Sequence, residues 1–162
     1  MFKWTKIPNM KGETDMQYLY ISENKLKHSL GVARYMQKYA SERLLNDDLA
    51  QEYFVLGYLH DIGEEFVYDK KDHAKVGGTI LKSQNYKYWK EVYHHGDPNT
   101  TYMSVALMVL NLAELCVQND GTVCTIDQNL ERLKNKFGED SVQYRNTKAL
   151  ADMVKTRTVV IK

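Results

Sequence analysis

Gly57-Tyr58-Leu59-His60-Asp61-Ile62-Gly63-Glu64 is the stretch on which the reading of this chain turns. Up to Leu59 it continues an apolar pattern of helical period, and Gly63 can stop the helix. Neighbouring helical residues point about 100° apart, so His60 and Asp61 can address one ion only near a helix end or in a tight interhelical space. Taken alone, the pair reads as a helix terminus, with an imidazolium favoured by the helix dipole and a solvated carboxylate.

Outward from this stretch the periodicity stays helical. Leu26, Leu30, Ala33 and Tyr35/Met36 recur at helix spacing after Ser22, a plausible cap. Asn46-Asp47-Asp48 caps the helix from Leu49 to about Asp61. Asp72 caps a third, His73 to Gln84, in which Gly77-Gly78 signals close packing rather than a break. A fourth runs from Tyr86 to His95, and Thr100 or Thr101 starts the most apolar one, through about Gln118. Asn119-Asp120-Gly121 is a turn, and residues 122–126 alternate like a short extended piece. Asp127 caps a helix closed by Gly138, and Ser141 opens the last, to roughly Lys155. The tail from Thr156 to Lys162 is β-prone. With no repeat, low-complexity tract or linker, the pattern predicts one all-α domain over 1–162, a compact bundle of six to seven helices.

Composition sets the outer limits. Lysine and arginine number 22 against 21 aspartate and glutamate, so the chain lacks the basic footprint of a nucleic-acid binder, and no duplex partner is expected. The run from Ser104 to Val117 is too short and interrupted to span a bilayer. The start, Met1 to Pro8, has no apolar run of signal-peptide type. Cys116 and Cys124 are not in a CxxC arrangement and read as reduced thiols. A cytoplasmic setting is expected, and a homodimer is compatible with all of this.

Other imidazoles and carboxylates flank the His60-Asp61 pair. His28 stands on a helix whose Leu26, Leu30 and Val32 turn toward a core; alone it would read as a partly buried histidine. Glu114 has Leu110, Leu112, Ala113, Leu115 and Val117 around it. If buried it must be paired or metal-bound, and otherwise it emerges on one polar stripe with Asn111 and Gln118. Together these residues form a mixed nitrogen/oxygen set that suits a catalytic divalent metal better than a structural thiolate site. Arg34 and Lys75 are cations able to meet a phosphate, as are Lys27 and Lys82. Tyr86, Tyr88, Trp89, Tyr93 and Tyr102 can stack on a base, or pack helices with their polar tips outward.

The order His28, His60-Asp61 and a later carboxylate resembles the H…HD…D pattern of the HD-domain metal-dependent phosphohydrolases. The segments His28-Ser29-Leu30-Gly31-Val32-Ala33, Leu56 to Gly63, and Gly121-Thr122-Val123 with Leu130-Glu131-Arg132-Leu133 also look like HD-domain sequence. The likeness covers roughly 22–137, leaving an N-terminal segment (1–21) and a C-terminal helix and tail (139–162) outside it. It implies that His28, His60, Asp61 and the last acidic position hold one divalent ion (Mn, Fe, Co, Mg, Ni or Zn). That position is usually Asp in an Ala-Asp pair; here Glu114 follows Ala113, and Asn111 one turn earlier is a weaker substitute.

Some HD branches, hydrolases of dinucleoside polyphosphates among them, place further histidines before the final Asp and build a two-metal site. His73 and His95 look like those positions, with Asp61 then bridging two ions and His94 near the substrate. A helix-start His73 and a polar helix end at His94-His95 are the bland alternative. Glu64 stands where many HD enzymes have Lys. A nucleotidase branch has an acid there that handles the proton of the attacking water or leaving group, so Asp61 and Glu64 are the catalytic candidates; an exposed acidic loop with Glu65 is the other reading. The resemblance implies hydrolysis of a nucleotide or related phosphate ester or anhydride by metal-activated water. The alternative is a catalytically degenerate HD module that binds a nucleotide or protein partner without turnover.

Overall fold

The apolar periodicity before His60 becomes two helices, α1 (Glu23–Glu42) and α2 (Asp47–Leu59), packed on each other. Asn46 caps α2, its side chain accepting the Leu49 N–H at 3.0 Å. After α2 the chain makes two short 3-10 turns, Ile62–Phe66 and Lys70–Asp72. Five helices follow: α3 (His73–Ser83), α4 (Trp89–His94), α5 (Val105–Cys116), α6 (Ile126–Phe137) and α7 (Val142–Ile161). This computed structural model describes residues 2–7, 17–67 and 69–161, with side chains for 23–67 and 69–157. Among the described residues no helix is long and apolar enough to cross a membrane.

The core forms where the apolar faces of α1, α2, α4 and α5 meet. Val32, Met36, Leu56, Val92, Val109 and Leu110 are fully buried there. Leu115 and Cys116 continue it beneath α7 through Leu150, Ala151 and Val154. Burial of such side chains, at about 1.5–3 kcal/mol each, holds α5 in place and with it Glu114. Gly77 and Gly78 do mark close packing. A Cβ on Gly63 would strike the His73 carbonyl, and one on Gly78 the Tyr93 backbone and Cβ. The turn after Asp61 can therefore lie directly on α3.

Several local expectations need correction. Before α1 the chain forms an antiparallel pair, β1 (Phe2–Ile7) and β2 (Gln17–Ser22), with Phe2 opposite Ser22 and Ile7 opposite Gln17. These segments are rich in aromatic and β-branched residues, but each is too short to declare itself in sequence. The proposed capping role of the Ser22 side chain lies outside the described side chains. Helix α4 starts at Trp89, because Tyr86 and Tyr88 pack against the core from a turn.

Ser104, not Thr100 or Thr101, caps α5 by accepting the Leu107 N–H at 3.0 Å. Arg157 holds the preceding loop through the Thr100 carbonyl at 2.7 Å. Thr125, not Asp127, caps α6 in a reciprocal capping box with Gln128. Residues 156–161 continue α7 rather than turning to β structure. The short extended piece survives as a bridge between Val117 and Val123. Both cysteines are free thiols.

Candidate metal centre

His60 is the last residue with helical dihedrals at the end of α2, and at Asp61 (φ −98°, ψ 14°) the chain swings into the 3-10 turn. That swing brings two sequence neighbours onto one point, with Asp61 Oδ2 3.1 Å from His60 Nε2. Glu114 projects from α5 so that Oε1 lies 2.8 Å from His60 Nε2 and 2.9 Å from His28 Nε2. Asp61 Oδ2 is 3.7 Å from His28 Nε2. The other Asp61 oxygen faces the opposite way, with Oδ1 3.2 Å from His73 Nε2 and 3.4 Å from His95 Nε2. His73 Nε2 and His95 Nε2 are 3.1 Å apart. The donors thus fall into two groups that share Asp61: His28, His60, Asp61 and Glu114, and Asp61, His73 and His95.

The second nitrogen of every ring is committed to the backbone. His60 Nδ1 donates to the Gly57 carbonyl at 2.6 Å, His95 Nδ1 to Val92 at 2.6 Å, and His73 Nδ1 to Lys70. Each carbonyl lies three residues before its histidine. His28 Nδ1 instead donates across the fold to Gln118 at 3.1 Å. Gly31 and Gly121 allow that approach: a Cβ on Gly31 would lie 2.9 Å from the Gly121 carbonyl, and Gly121 has a φ of +83°. With Nδ1 protonated in each ring, an assignment made from these contacts, all four Nε2 lone pairs point inward.

Inward lone pairs facing carboxylates and one another repel unless a cation lies among them. His60 Nε2 and Asp61 Oδ1 are buried without a hydrogen-bond partner. Two ligands each about 2.1 Å from one ion are about 3.0–3.4 Å apart at octahedral to tetrahedral angles; four of the seven separations fall in that range, and those of 2.8, 2.9 and 3.7 Å lie close to it. The residues therefore fit divalent ions, whose charge offsets the two carboxylates.

Protons are the alternative cations, and the electrostatics record the same demand. Burial depresses the His60 imidazolium, but Asp61 and Glu114 overcome it and hold the group well above its ordinary value. His28 is likewise raised, burial being outweighed by Glu114, and His73 by Asp61. Burial disfavours the Asp61 and Glu114 carboxylates, yet His60 and the neighbouring histidines hold both below the usual range.

The remaining site candidates divide. Glu64 lies on the same cleft, its carboxylate 2.5 Å from Lys25 Nζ and its side chain 17% exposed, so it is not a freely solvated loop acid. His94 points away from both groups, stacked on Tyr102 with Nδ1 3.0 Å from Thr100 Oγ1. Arg34 is exposed and faces a separate groove with Lys38 and Arg43. Lys75 is exposed on α3 outside the cleft. Helical spacing alone put these cations near the ligands; the side of α1 and α3 they occupy depends on packing. Tyr86, Tyr88 and Trp89 pack against the core, and among the described residues the phenyl ring that lines the cleft is that of Phe137.

Asn111 is fully buried, which removes the polar stripe proposed for α5. It is no ligand: its Oδ1 accepts the Gly96 N–H at 2.8 Å and thereby braces the residue after His95. An amide inside an apolar helix was the available signal for this. The cleft, about 660 Å³, runs from His28, Asp61 and Glu114 along α6 and α7, and its cations among the described residues are Lys25, Lys70, Arg132 and Lys136. Nothing local in the sequence distinguishes these four from solvated charges.

Comparison with family models matches residues 26–119 to the HD domain. Comparisons with curated proteins and with solved structures give no match. The matched segment contains all six converging residues and more than half of the sequence, and so this chain belongs to the HD-domain family, whose members are mostly metal-dependent hydrolases.

Proposed function

We propose that the protein hydrolyses a phosphate ester or anhydride of a nucleotide or related small molecule. His28, His60, Asp61 and Glu114 would hold one divalent ion, and Asp61, His73 and His95 a second. The observation that carries this reading is the set of four imidazoles whose Nδ1 atoms are all bound to backbone carbonyls, leaving every Nε2 turned toward Asp61 or Glu114. Divalent ions in such a site supply acidified water and a polarised phosphoryl oxygen at neutral pH.

The chain's own residues supply positioning and proton transfer. Backbone carbonyls hold the ring orientations, so the donor set needs little reorganisation when loaded. Glu64, on the wall of the cleft and oriented by Lys25, accepts a proton from the attacking water or returns one to the leaving oxygen. Lys70 lines the cleft beside His73 and offers a cation to the phosphate. The cleft volume falls within the range of small-molecule sites. Glu114 standing where Asp is usual is the ground for the alternative of a non-catalytic binding module. Glu114 reaches both imidazoles at hydrogen-bond distance, which supports the hydrolase reading instead.

Metal analysis tests this together with assays on nucleoside monophosphates, cyclic nucleotides and dinucleoside polyphosphates. Turnover with Mn²⁺, Fe²⁺ or Co²⁺ is expected, along with loss of bound metal in His60→Ala. A protein inactive with all three ions, whose metal content is unchanged by His60→Ala, sinks the proposal.

A further inference from the structure

The cleft is electrically divided. Its carboxylates are confined to one end, where Asp61, Glu114 and Glu64 stand with Lys25 and Lys70. Toward α6 and α7 the walls carry Arg132 and Lys136, with the amides of Gln143 and Asn146. Among the described residues no carboxylate forms an ion pair with Arg132 or Lys136, although their neighbours Lys134 and Arg145 each have one. A carboxylate-bearing end that fits metal ions, and a basic end with no paired carboxylate among the described residues, fit a ligand with negative charge at both ends.

Arg132 is exposed, but its guanidinium is oriented by a hydrogen bond. Its Nη2 donates to Asn129 Oδ1 at 2.8 Å, three residues earlier on α6. Asn129, only 8% exposed, donates through Nδ2 to the Leu115 carbonyl at 2.9 Å. Leu115 follows Glu114 in the last turn of α5, so two hydrogen bonds tie the guanidinium to the turn that carries Glu114. An arginine has five N–H donors in a planar fork, and the bond to Asn129 leaves others to match a phosphate. Lys136 lies one helical turn further along α6, its Nζ 5.2 Å from the centre of the half-exposed Phe137 ring.

We propose that Arg132, positioned by Asn129, binds a second phosphate of the substrate, remote from the one hydrolysed, so that the preferred substrates are bisphosphorylated. This rests on the hydrolase reading for its first phosphate, and on the basic end of the cleft for its second. An oriented guanidinium on a phosphate forms charge-assisted hydrogen bonds, which correspond to about 10- to 100-fold in affinity.

The experiment compares adenosine 3′,5′-bisphosphate with adenosine 5′-monophosphate. Dissociation constants are measured calorimetrically on the full chain, both in EDTA and with Mn²⁺, and hydrolysis of each is followed separately. The wild type should favour the bisphosphate about 10- to 100-fold, Arg132→Met should bring the ratio near one, and Arg132→Lys should restore part of it. Lys148→Met, an equal loss of charge on the exposed face of α7, should leave the ratio alone.

A ratio near one in the wild type overturns the proposal, as does a ratio that Arg132→Met leaves intact. Equal losses for both nucleotides overturn it too, since Arg132 would then serve the reacting phosphate. Discrimination that depends on Arg132, with neither nucleotide hydrolysed, supports the second phosphate site and counts against the hydrolase reading. Hydrolysis without discrimination does the reverse.

Discussion

Shortening Glu114 to aspartate tests the geometry of the site most directly, because aspartate is the residue the family usually has there. Glu114 Oε1 lies 2.8 Å from His60 Nε2 and 2.9 Å from His28 Nε2, so the longer side chain already brings its carboxylate to both imidazoles. Removing one methylene withdraws the carboxylate by about 1.5 Å, against a tolerance of about 0.5 Å for a functional constellation. The α5 backbone cannot follow easily, since Leu110, Ala113 and Leu115 are buried on either side. Glu114→Asp should therefore weaken metal binding at least tenfold. At a metal concentration 100 times the wild-type dissociation constant, binding stabilises the wild type by about 2.7 kcal/mol and the variant by about 1.4 kcal/mol. For a domain of this size the difference lowers the metal-loaded Tm by about 3–5 °C, with the metal-free Tm values compared as baseline. Thermal melts with and without Mn²⁺, backed by calorimetric titration, measure it. If Glu114→Asp bound metal as tightly as the wild type, or turned over faster, the argument from reach would be wrong and the natural site would be detuned.

Three further outcomes follow from the same geometry. In metal-free protein the raised imidazoles of His28, His60 and His73 contribute stability that is complete below their ordinary value of 6.5 and is lost as pH rises through their elevated folded values. The lowered Asp61 and Glu114 contribute above their ordinary values of 3.8 and 4.5, and that contribution is lost as pH falls through the depressed folded ones. Stability in EDTA should thus be highest between about 4.5 and 6.5, and the gain in Tm on adding Mn²⁺ should be larger at pH 8 than at pH 6, where protons compete for the same nitrogens; a gain that ignores pH refutes proton–metal competition. Glu64→Gln should lower kcat by about 10²–10⁴-fold with metal content unchanged, the signature of a proton-transfer group; an unchanged kcat removes Glu64 from the chemistry. Asn111→Leu deletes the acceptor of the Gly96 N–H and should cost about 1 kcal/mol in a denaturant titration. It should also lower occupancy at Asp61, His73 and His95 before the other group, and equal loss at both would mean that Asn111 does not brace His95 selectively.

What was legible in the sequence follows from the range of the interactions concerned. Helices α1 to α3 and α5 announce themselves through apolar spacing, and α2 through a local cap. Caps are ambiguous in sequence where a nearby residue offers equal chemistry, as with Thr125 and Asp127 at the start of α6, because the choice depends on backbone direction and not on side-chain type. The six residues that converge were all named from their order and likeness to a family, yet that order says nothing about which oxygen of Asp61 faces which imidazole. The cations were the converse case. Arg34 and Lys75 sit at plausible helical offsets but on other faces, while Arg132 reaches the cleft only because α6 packs back against the end of α5. Nothing within a few residues of Arg132 encodes that return.

The same distinction of range separates His28 from the other three imidazoles and gives a last test. His60, His73 and His95 each donate Nδ1–H to a carbonyl three residues earlier, so their tautomers are fixed by their own turn of chain. His28 relies on Gln118, 90 residues away, and on the approach of α1 to the 118–121 turn. Gly121 permits that approach twice over: its φ is +83°, and a Cβ there would lie 2.6 Å from the Lys27 carbonyl, one residue before His28. Gly121→Ala should cost more than the usual penalty of about 1 kcal/mol for a left-handed alanine, since α1 must also move. The move would take the Gln118 carbonyl from His28 Nδ1 and free that ring to turn, while Asp61, His73 and His95 keep their local anchors. Metal titration should then show the affinity of the group containing His28 reduced and the other largely preserved, with the His28 ring resonances in NMR broadened or shifted and those of His73 and His95 in place. Equal weakening of both groups would mean that Asp61 couples them so strongly that the origin of each anchor is irrelevant. An undisturbed His28 resonance would mean that the carbonyl of Gln118 does not set its tautomer.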